Sequence, residues 1–164
     1  MDWGYLRLLL LHIGLEFEFV SWLMACITSV HFSVLVNGFP TPFFRGSRGL
    51  RQGCPVSPLL FLLVIDGLSR SIGLAKDSGK IHGVKVSPHQ YLTHVLCVDD
   101  VLLFGNLCLS EWSHFHDLLT CFCVASGMAI SPNKSCFLSN EEDLDQRIRA
   151  LFPFEFKRLD TGFK

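Results

Sequence analysis

The sequence predicts an α+β domain. Three observations predict it. Apolar residues recur at helical spacing in some segments, and they form short β-branched or aromatic runs in others. The two kinds of segment are mixed without the regular alternation of βαβ units. The chain has 164 residues, 49% of them hydrophobic and 18% charged, so it can bury a real core and is not a disordered polypeptide.

The elements follow in order. Trp3 to His12 is expected as a short apolar helix stopped at Gly14. Phe17 to Ser29 is a second helix, with Phe19, Val20, Trp22, Leu23, Cys26 and Ile27 at helical spacing. His31 to Val36 is β-rich, and Asn37-Gly38 is a strong hairpin signal with a return strand through Pro42-Phe43-Phe44. A Gly/Arg-rich passage, Arg45 to Gly53, comes next. Ser57-Pro58 reads as an N-cap with proline at the first helical position. That helix runs through Leu59, Leu60, Leu62, Leu63, Ile65 and Leu68 to about Ala75, with a turn at Asp77-Ser78-Gly79.

Ile81 to Val86 and Tyr91 to Phe104 read as strands, the second broken at Asp99-Asp100. Ser110 to Ser126 is a helix with Gly127 as its C-cap. Asn133-Lys134 sits in a loop or short strand, and Asp143 to Leu151 is a last helix. The helices from Ser57 and Ser110 are expected to supply the core, through Leu60, Leu63, Phe115 and Leu119. No repeat or low-complexity segment interrupts the chain.

Composition narrows the function classes. The net charge of −1 carries no global signature of a polyanion partner. The seven cysteines form no CxxC pair, and Met1-Asp2-Trp3 opens without a basic leader, so reduced thiols inside the cell are expected. His114-x-His116 and Cys121-x-Cys123 do not point to zinc, because residues two apart do not share a helix face. Phe19 to Phe44 contains no Asp, Glu, Lys or Arg and is long enough to span a bilayer. Asn37-Gly38, Pro40 and Pro42 interrupt it, so a helix followed by a hairpin is the better reading, without a membrane partner. Fifteen phenylalanines point to a heavily buried chain, or to apolar patches left open where covering segments are missing.

Two local patterns carry chemistry. In Leu96-Cys97-Val98-Asp99-Asp100-Val101-Leu102-Leu103-Phe104, adjacent carboxylates sit between apolar runs. An acidic pair at the tip of a tight hairpin is a rigid mount for the oxygen ligands of Mg²⁺ in two-metal phosphoryl transfer. A bare turn would also favour Asp. In Gly49-Leu50-Arg51-Gln52-Gly53-Cys54-Pro55-Val56-Ser57-Pro58-Leu59-Leu60-Phe61, glycines permit close backbone approach, Arg51 suits phosphate, and Gln52 suits a base or sugar. The helix start that follows presents free N–H groups. A Gly/Pro loop leading into a buried helix is the plainer reading of that stretch.

Taken together and in this order, the two patterns resemble the reverse transcriptases of non-LTR (LINE-type, plant-like) retrotransposons. Residues 49–61 look like polymerase motif B, 97–100 like motif C, and Ser126-Gly127-Met128-Ala129-Ile130-Ser131-Pro132-Asn133-Lys134-Ser135 like motif D. Asp2-Trp3-Gly4-Tyr5-Leu6 is similar to the stretch after motif A. Leu151-Phe152-Pro153-Phe154 through Gly162-Phe163-Lys164 is similar to the stretch before motif E. Residues 1–164 are thus identified as a partial reverse transcriptase domain, with motifs A and E outside the chain.

The resemblance implies an α+β partial polymerase palm with part of the fingers, its motif C on a β-hairpin packed against helices. It implies RNA-directed DNA polymerisation with two Mg²⁺ ions, an RNA template, a DNA primer and dNTPs. Asp99 and Asp100 would be the catalytic, metal-binding acids. Arg51, Gln52 and Gly53 would shape the nucleotide and template pocket, and Lys134 would stand near the pyrophosphate leaving group as a proton donor. An intracellular setting, nuclear or cytoplasmic, goes with that family.

Two departures matter. The metal-binding Asp of motif A would fall four residues before Trp3, ahead of Met1, and Asp2 does not replace it. Cys97 stands where the family carries an aromatic residue. Asp99 and Asp100, as adjacent strand residues, would also point to opposite sides. An inactive isolated chain is therefore expected, needing the missing fingers and thumb segments. The alternatives are a non-catalytic retroelement remnant and a small membrane-associated protein.

Overall fold

Local capping and turn chemistry set most element boundaries, and the tertiary pairings fill in the rest. The computed structural model describes residues 1–140 and 145–159. The chain divides into two units. One comprises Met1–Val64 with Ala125–Met128, and the other Ile65–Val124 with the described residues from Ala129 onward.

In the first unit, α1 (Trp3–His12) starts where the Asp2 carboxylate accepts the Tyr5 N–H at 2.8 Å. This satisfies one of the orphan donors of the first turn. Helix α2 (Phe17–Thr28) packs against α1. Leu6, Leu10 and Val20 are fully buried, and the Arg7 guanidinium lies 5.3 Å from the centre of the Phe17 ring.

The expected hairpin follows, in a different form. Strand β1 (His31–Phe32) pairs antiparallel with β4 (Phe44–Arg45), and β2 (Leu35–Val36) with β3 (Phe39–Pro40). Asn37 and Gly38 hold φ of 52° and 85°, the two positive values of a type I′ turn. The continuous strand expected over 31–36 is interrupted at Ser33-Val34. There Thr41 keeps one backbone bond, its N–H donating to the Val34 carbonyl, while its Oγ1 accepts the Val34 N–H and its carbonyl accepts the Ser33 hydroxyl, side-chain bonds in place of a regular ladder. The return strand is likewise split, because Pro42 has no N–H to give a ladder.

Helix α3 (Ser57–Asp77) begins one residue earlier than its proline suggests. The Val56 carbonyl accepts the Leu60 N–H, so Ser57 is inside the first turn rather than at the cap. Residues 57–64 belong to the first unit, where Leu60 and Val64 are buried; the remainder belongs to the second. The helix closes at Asp77-Ser78-Gly79, where the Gly79 and Lys80 N–H groups return to the carbonyls of Lys76 and Ala75. By length and composition α3 could cross a membrane, but Leu68, Ile72 and Ala75 belong to a buried core.

The second unit is built around that core. Two antiparallel pairs follow α3: β5 (Val84–Ser87) with β6 (Gln90–Leu92), and β7 (His94–Cys97) with β8 (Asp100–Leu103). Helix α4 (Leu109–Ser126) brings in Trp112 and Phe115. The Trp112 ring lies 5.3 Å from Phe115, 4.6 Å from Phe137 and 5.9 Å from Phe152. Tilted and edge-on contacts of this kind add to plain area burial. Of the expected core residues, Leu60 and Phe115 are buried, while Leu63 and Leu119 are only half-buried.

Asn133-Lys134 lies in a 3₁₀ turn, Pro132–Lys134. The parallel pair β9 (Cys136–Ser139) and β10 (Glu155–Arg158) was not expected from the sequence. Between them, α5 (Gln146–Leu151) starts at Asp145, whose carboxylate accepts the Arg147 N–H. Asp143 and Leu144 of the expected last helix, and Asp160 to Lys164 of the stretch likened to the approach to motif E, lie outside the described residues. The architecture is mixed helix and small sheets, as an α+β domain requires.

Candidate functional site

The β7–β8 hairpin carries the acidic pair. Its register sets His94 opposite Leu103, Val95 opposite Leu102, Leu96 opposite Val101 and Cys97 opposite Asp100. Two residues, Val98 and Asp99, therefore make the turn. Val98 holds a φ of 56°. A positive φ at the first turn position alone is the type II′ pattern, which favours glycine. A β-branched residue there is a backbone outlier and stores strain.

Asp99 is thus the second turn residue, and Asp100 is the first residue of β8. Both are exposed, and neither carboxylate has a hydrogen-bond or ion-pair partner among the described residues. The opposite-face expectation needs correction, since strand alternation governs Asp100 but not a turn residue such as Asp99. Below the tip the hairpin is well seated. Val101 and Leu103 pack against the core, and the Phe104 N–H extends the ladder to the carbonyl of buried Thr93. His94 ties β7 to α3: its Nε2 is 2.7 Å from the Ser69 hydroxyl and its Nδ1 3.0 Å from that of Thr93. Burial, with Lys76 adding its charge, holds the His94 pKa below the usual range.

The Gly/Arg passage belongs to the first unit. Arg51, Gln52 and Gly53 are exposed in a turn preceding α3, with Gly49 and Gly53 at φ of 84° and 80°. Gly49 is anchored on both sides. Its N–H donates to the Met1 carbonyl at 2.8 Å, and its carbonyl accepts the Trp3 indole N–H at 2.6 Å. The Asp2 N–H donates to the Ser126 carbonyl at 2.6 Å. Three stretches the sequence singles out therefore converge here: Met1–Trp3, the start of the Gly49 passage, and Ser126-Gly127.

Lys134 is exposed in its 3₁₀ turn, in the same unit as the aspartates, and no ion pair joins it to them. Carboxylates are the right donors for a hard divalent cation, but two of them are too few for a pair of bridged ions. Among the described residues no group of three or more His, Cys, Asp or Glu side chains could hold a metal.

One residue escapes sequence reasoning. Glu111 is 2% exposed and accepts three backbone N–H groups from outside its own helix. Its only signal is an acid in a helix's first turn, which ordinarily means a favourable charge at the helix N-terminus.

The profile of the family "reverse transcriptase (RNA-dependent DNA polymerase)" matches residues 12–151. That is most of the chain. This protein belongs to the reverse transcriptase family. Two relatives match in sequence. One is an uncharacterized mitochondrial protein of Arabidopsis thaliana, 41% identical over 73 residues, which are 43% of this chain and 60% of that protein. The other is the retrovirus-related Pol polyprotein of a type-1 retrotransposable element from Popillia japonica. It is 24% identical over 126 residues, 77% of this chain and 20% of the polyprotein. The chain thus spans less than two thirds of the length of each, and only a fifth of the polyprotein. The family match runs through the Gly49–Phe61 passage, the Asp99-Asp100 hairpin and the Lys134 turn.

Proposed function

We propose that this chain is palm sequence, with part of the fingers, of an RNA-directed DNA polymerase of the non-LTR type. The observation that carries the reading is the Asp99-Asp100 pair at the tip of a strained two-residue hairpin, inside a chain of the reverse transcriptase family. In this reading Asp99 and Asp100 are the acids of the polymerase centre. Arg51, Gln52 and Gly53 face template and incoming nucleotide, and Lys134 serves the pyrophosphate leaving group. The substrates are a DNA primer, an RNA template and dNTPs, with Mg²⁺ as the divalent ion, and the setting is intracellular.

The hairpin supports this role physically. Its base is packed in the core and its tip is open to solvent, so two carboxylates are held out on a rigid mount. A rigid mount matters because phosphoryl transfer depends on positioning and electrostatics more than on covalent chemistry by the protein. We further propose that this polypeptide alone does not extend a primer, since Asp99 and Asp100 by themselves are too few for two bridged ions and no third His, Cys, Asp or Glu joins them among the described residues. The test joins the chain to the upstream segment of a related element that supplies a third acid, and to its fingers and thumb. Primer extension that appears in the joined protein and vanishes on Asp99→Ala supports the reading. Extension indifferent to Asp99 sinks it.

A further inference from the structure

We propose that Glu111 is a positioning residue that fixes the base of the hairpin bearing Asp99. The functional meaning of this inference rests on the polymerase reading above; its geometry does not.

Glu111 is the third residue of α4, yet its carboxylate serves other segments. Oε1 accepts the N–H groups of His82 and Gly83, both at 2.8 Å, and Oε2 accepts the Asn106 N–H at 3.2 Å. No cation pairs with it among the described residues. A buried carboxylate without a countercharge is costly unless charge-assisted bonds satisfy it, and three backbone donors do so here. An acid present only for the helix dipole would instead sit exposed beside its own first-turn N–H groups.

Two of the donors lie just before β5, against the chain that enters the hairpin, and the third lies just past its exit. On the entry side, Gly83 presses on the chain leading into β7: a Cβ built on it would lie 2.3 Å from the Leu92 carbonyl oxygen. The next residue, Thr93, is buried and takes the Phe104 N–H. On the exit side, Gly105 leaves β8 so close to α4 that its Cβ would sit 3.4 Å from the Glu111 carboxyl carbon. Asn106 then closes the circuit. Its side-chain amide donates to the Gly83 carbonyl at 3.2 Å, and its own carbonyl accepts the Trp112 indole N–H at 2.8 Å.

Glu111 therefore joins the His82-Gly83 segment, which abuts the chain entering the hairpin at Leu92, to Asn106 just past the strand leaving it and to the core helix beneath. Strain such as that at Val98 persists only where the surroundings over-determine the backbone. Fixing both feet of the hairpin is what holds the strained tip, and with it the directions of Asp99 and Asp100.

Amide hydrogen exchange and NMR on the full chain test this, with Glu111→Gln beside Glu111→Ala. Gln keeps a carbonyl oxygen for His82 and Gly83 but turns an N–H donor toward Asn106. We expect Gln to retain protection at His82 and Gly83 and to lose it at Asn106. The amides of His94–Leu103 should exchange about tenfold faster. The strong intraresidue HN–Hα contact that marks the positive φ of Val98 should fade, while the Phe115 and Trp112 ring signals stay native. Unchanged hairpin exchange and an unchanged Val98 signature in Gln would overturn the proposal. So would loss of the Phe115 signals in Gln, which would make Glu111 a general stabiliser. The measurement needs no metal and no polymerase activity. A failed anchor and a failed polymerase reading therefore give separate results.

Discussion

Cys97 pairs directly with Asp100 across a turn whose first residue, Val98, is held at a φ of 56°. Glycine reaches that conformation without a Cβ penalty, and valine does not. Val98→Gly should therefore stabilise the chain by about 1 kcal/mol, the low end of what such strain costs. The gain is reduced by the greater freedom of glycine in the unfolded state. Urea denaturation of the two proteins decides it, and a midpoint lowered by the glycine would show that no strain is stored at the tip.

Phe115 is fully buried and shares a cluster with Trp112. Phe115→Ala should cost about 3–5 kcal/mol, the usual range for removing a buried aromatic ring. Leu119, on the same helix but only half-buried, should cost clearly less on truncation. Equal losses at the two positions would mean that the core is not centred where the packing puts it.

Those two residues also show what could be read in advance. Helical periodicity identifies the α4 face that carries both, but it does not rank them, because depth depends on what packs on top. Trp112 meets Phe137 of β9 and Phe152 after α5, and the β9–β10 pairing joins segments far apart in sequence. Four-residue strands of that kind carry too little pattern to announce their partners. The Asn37-Gly38 turn lies where local chemistry puts it, whereas the acidic hairpin turns at Val98-Asp99, one residue before the expected Asp99-Asp100, with a valine in a conformation that favours glycine. Local chemistry does not place the break at Ser33-Val34 either, since it depends on the Thr41 side chain. At the site, the acidic pair is plain in the sequence, whereas Glu111 reads as an ordinary helix-start acid until its amide donors are seen.

The hairpin of the first unit leaves Phe39 and Phe43 77% and 78% exposed. Exposed aromatic side chains on short edge strands promote self-association. The double change Phe39→Ser with Phe43→Ser should lower light scattering of the concentrated chain without altering its urea midpoint. Equal scattering in the two proteins would place the sticky surface elsewhere.

His94 links stability to pH. Its pKa is lowered in the fold, first by burial and then by Lys76, while an unfolded histidine titrates near about 6.5. Below that value the unfolded state binds more protons than the folded state, so stability falls as the pH drops and is flat above it. Denaturation midpoints at about pH 7.5 and about pH 5.5 should differ in the wild type. The difference should shrink in His94→Gln, which keeps polar contact with Ser69 but does not titrate in this range. The same fall in both proteins would assign the pH dependence to other groups.

The last expectation concerns catalysis and follows from counting ligands. Two Mg²⁺ ions about 3.5–4 Å apart need carboxylates that bridge them. Asp99 sits in the turn and Asp100 begins β8, so a single tip supplies both acids, and no third acid, His or Cys completes a cluster among the described residues. Ions held by one tip alone would bind weakly and out of place, and a displacement of about 1 Å can cost on the order of a hundredfold in rate. The purified chain should therefore incorporate no labelled dNTP on a primed RNA template with Mg²⁺, and Asp99→Ala should match it. Mn²⁺ titration followed by NMR gives an independent reading. Broadening should be confined to the signals of Asp99, Asp100 and their neighbours, without reaching saturation at low concentration, and should disappear in the Asp99→Ala, Asp100→Ala double variant. Asp99-dependent incorporation by the chain alone would show that the ligand count is wrong. Broadening that survives the double variant would show that the hairpin tip is not where the cation goes.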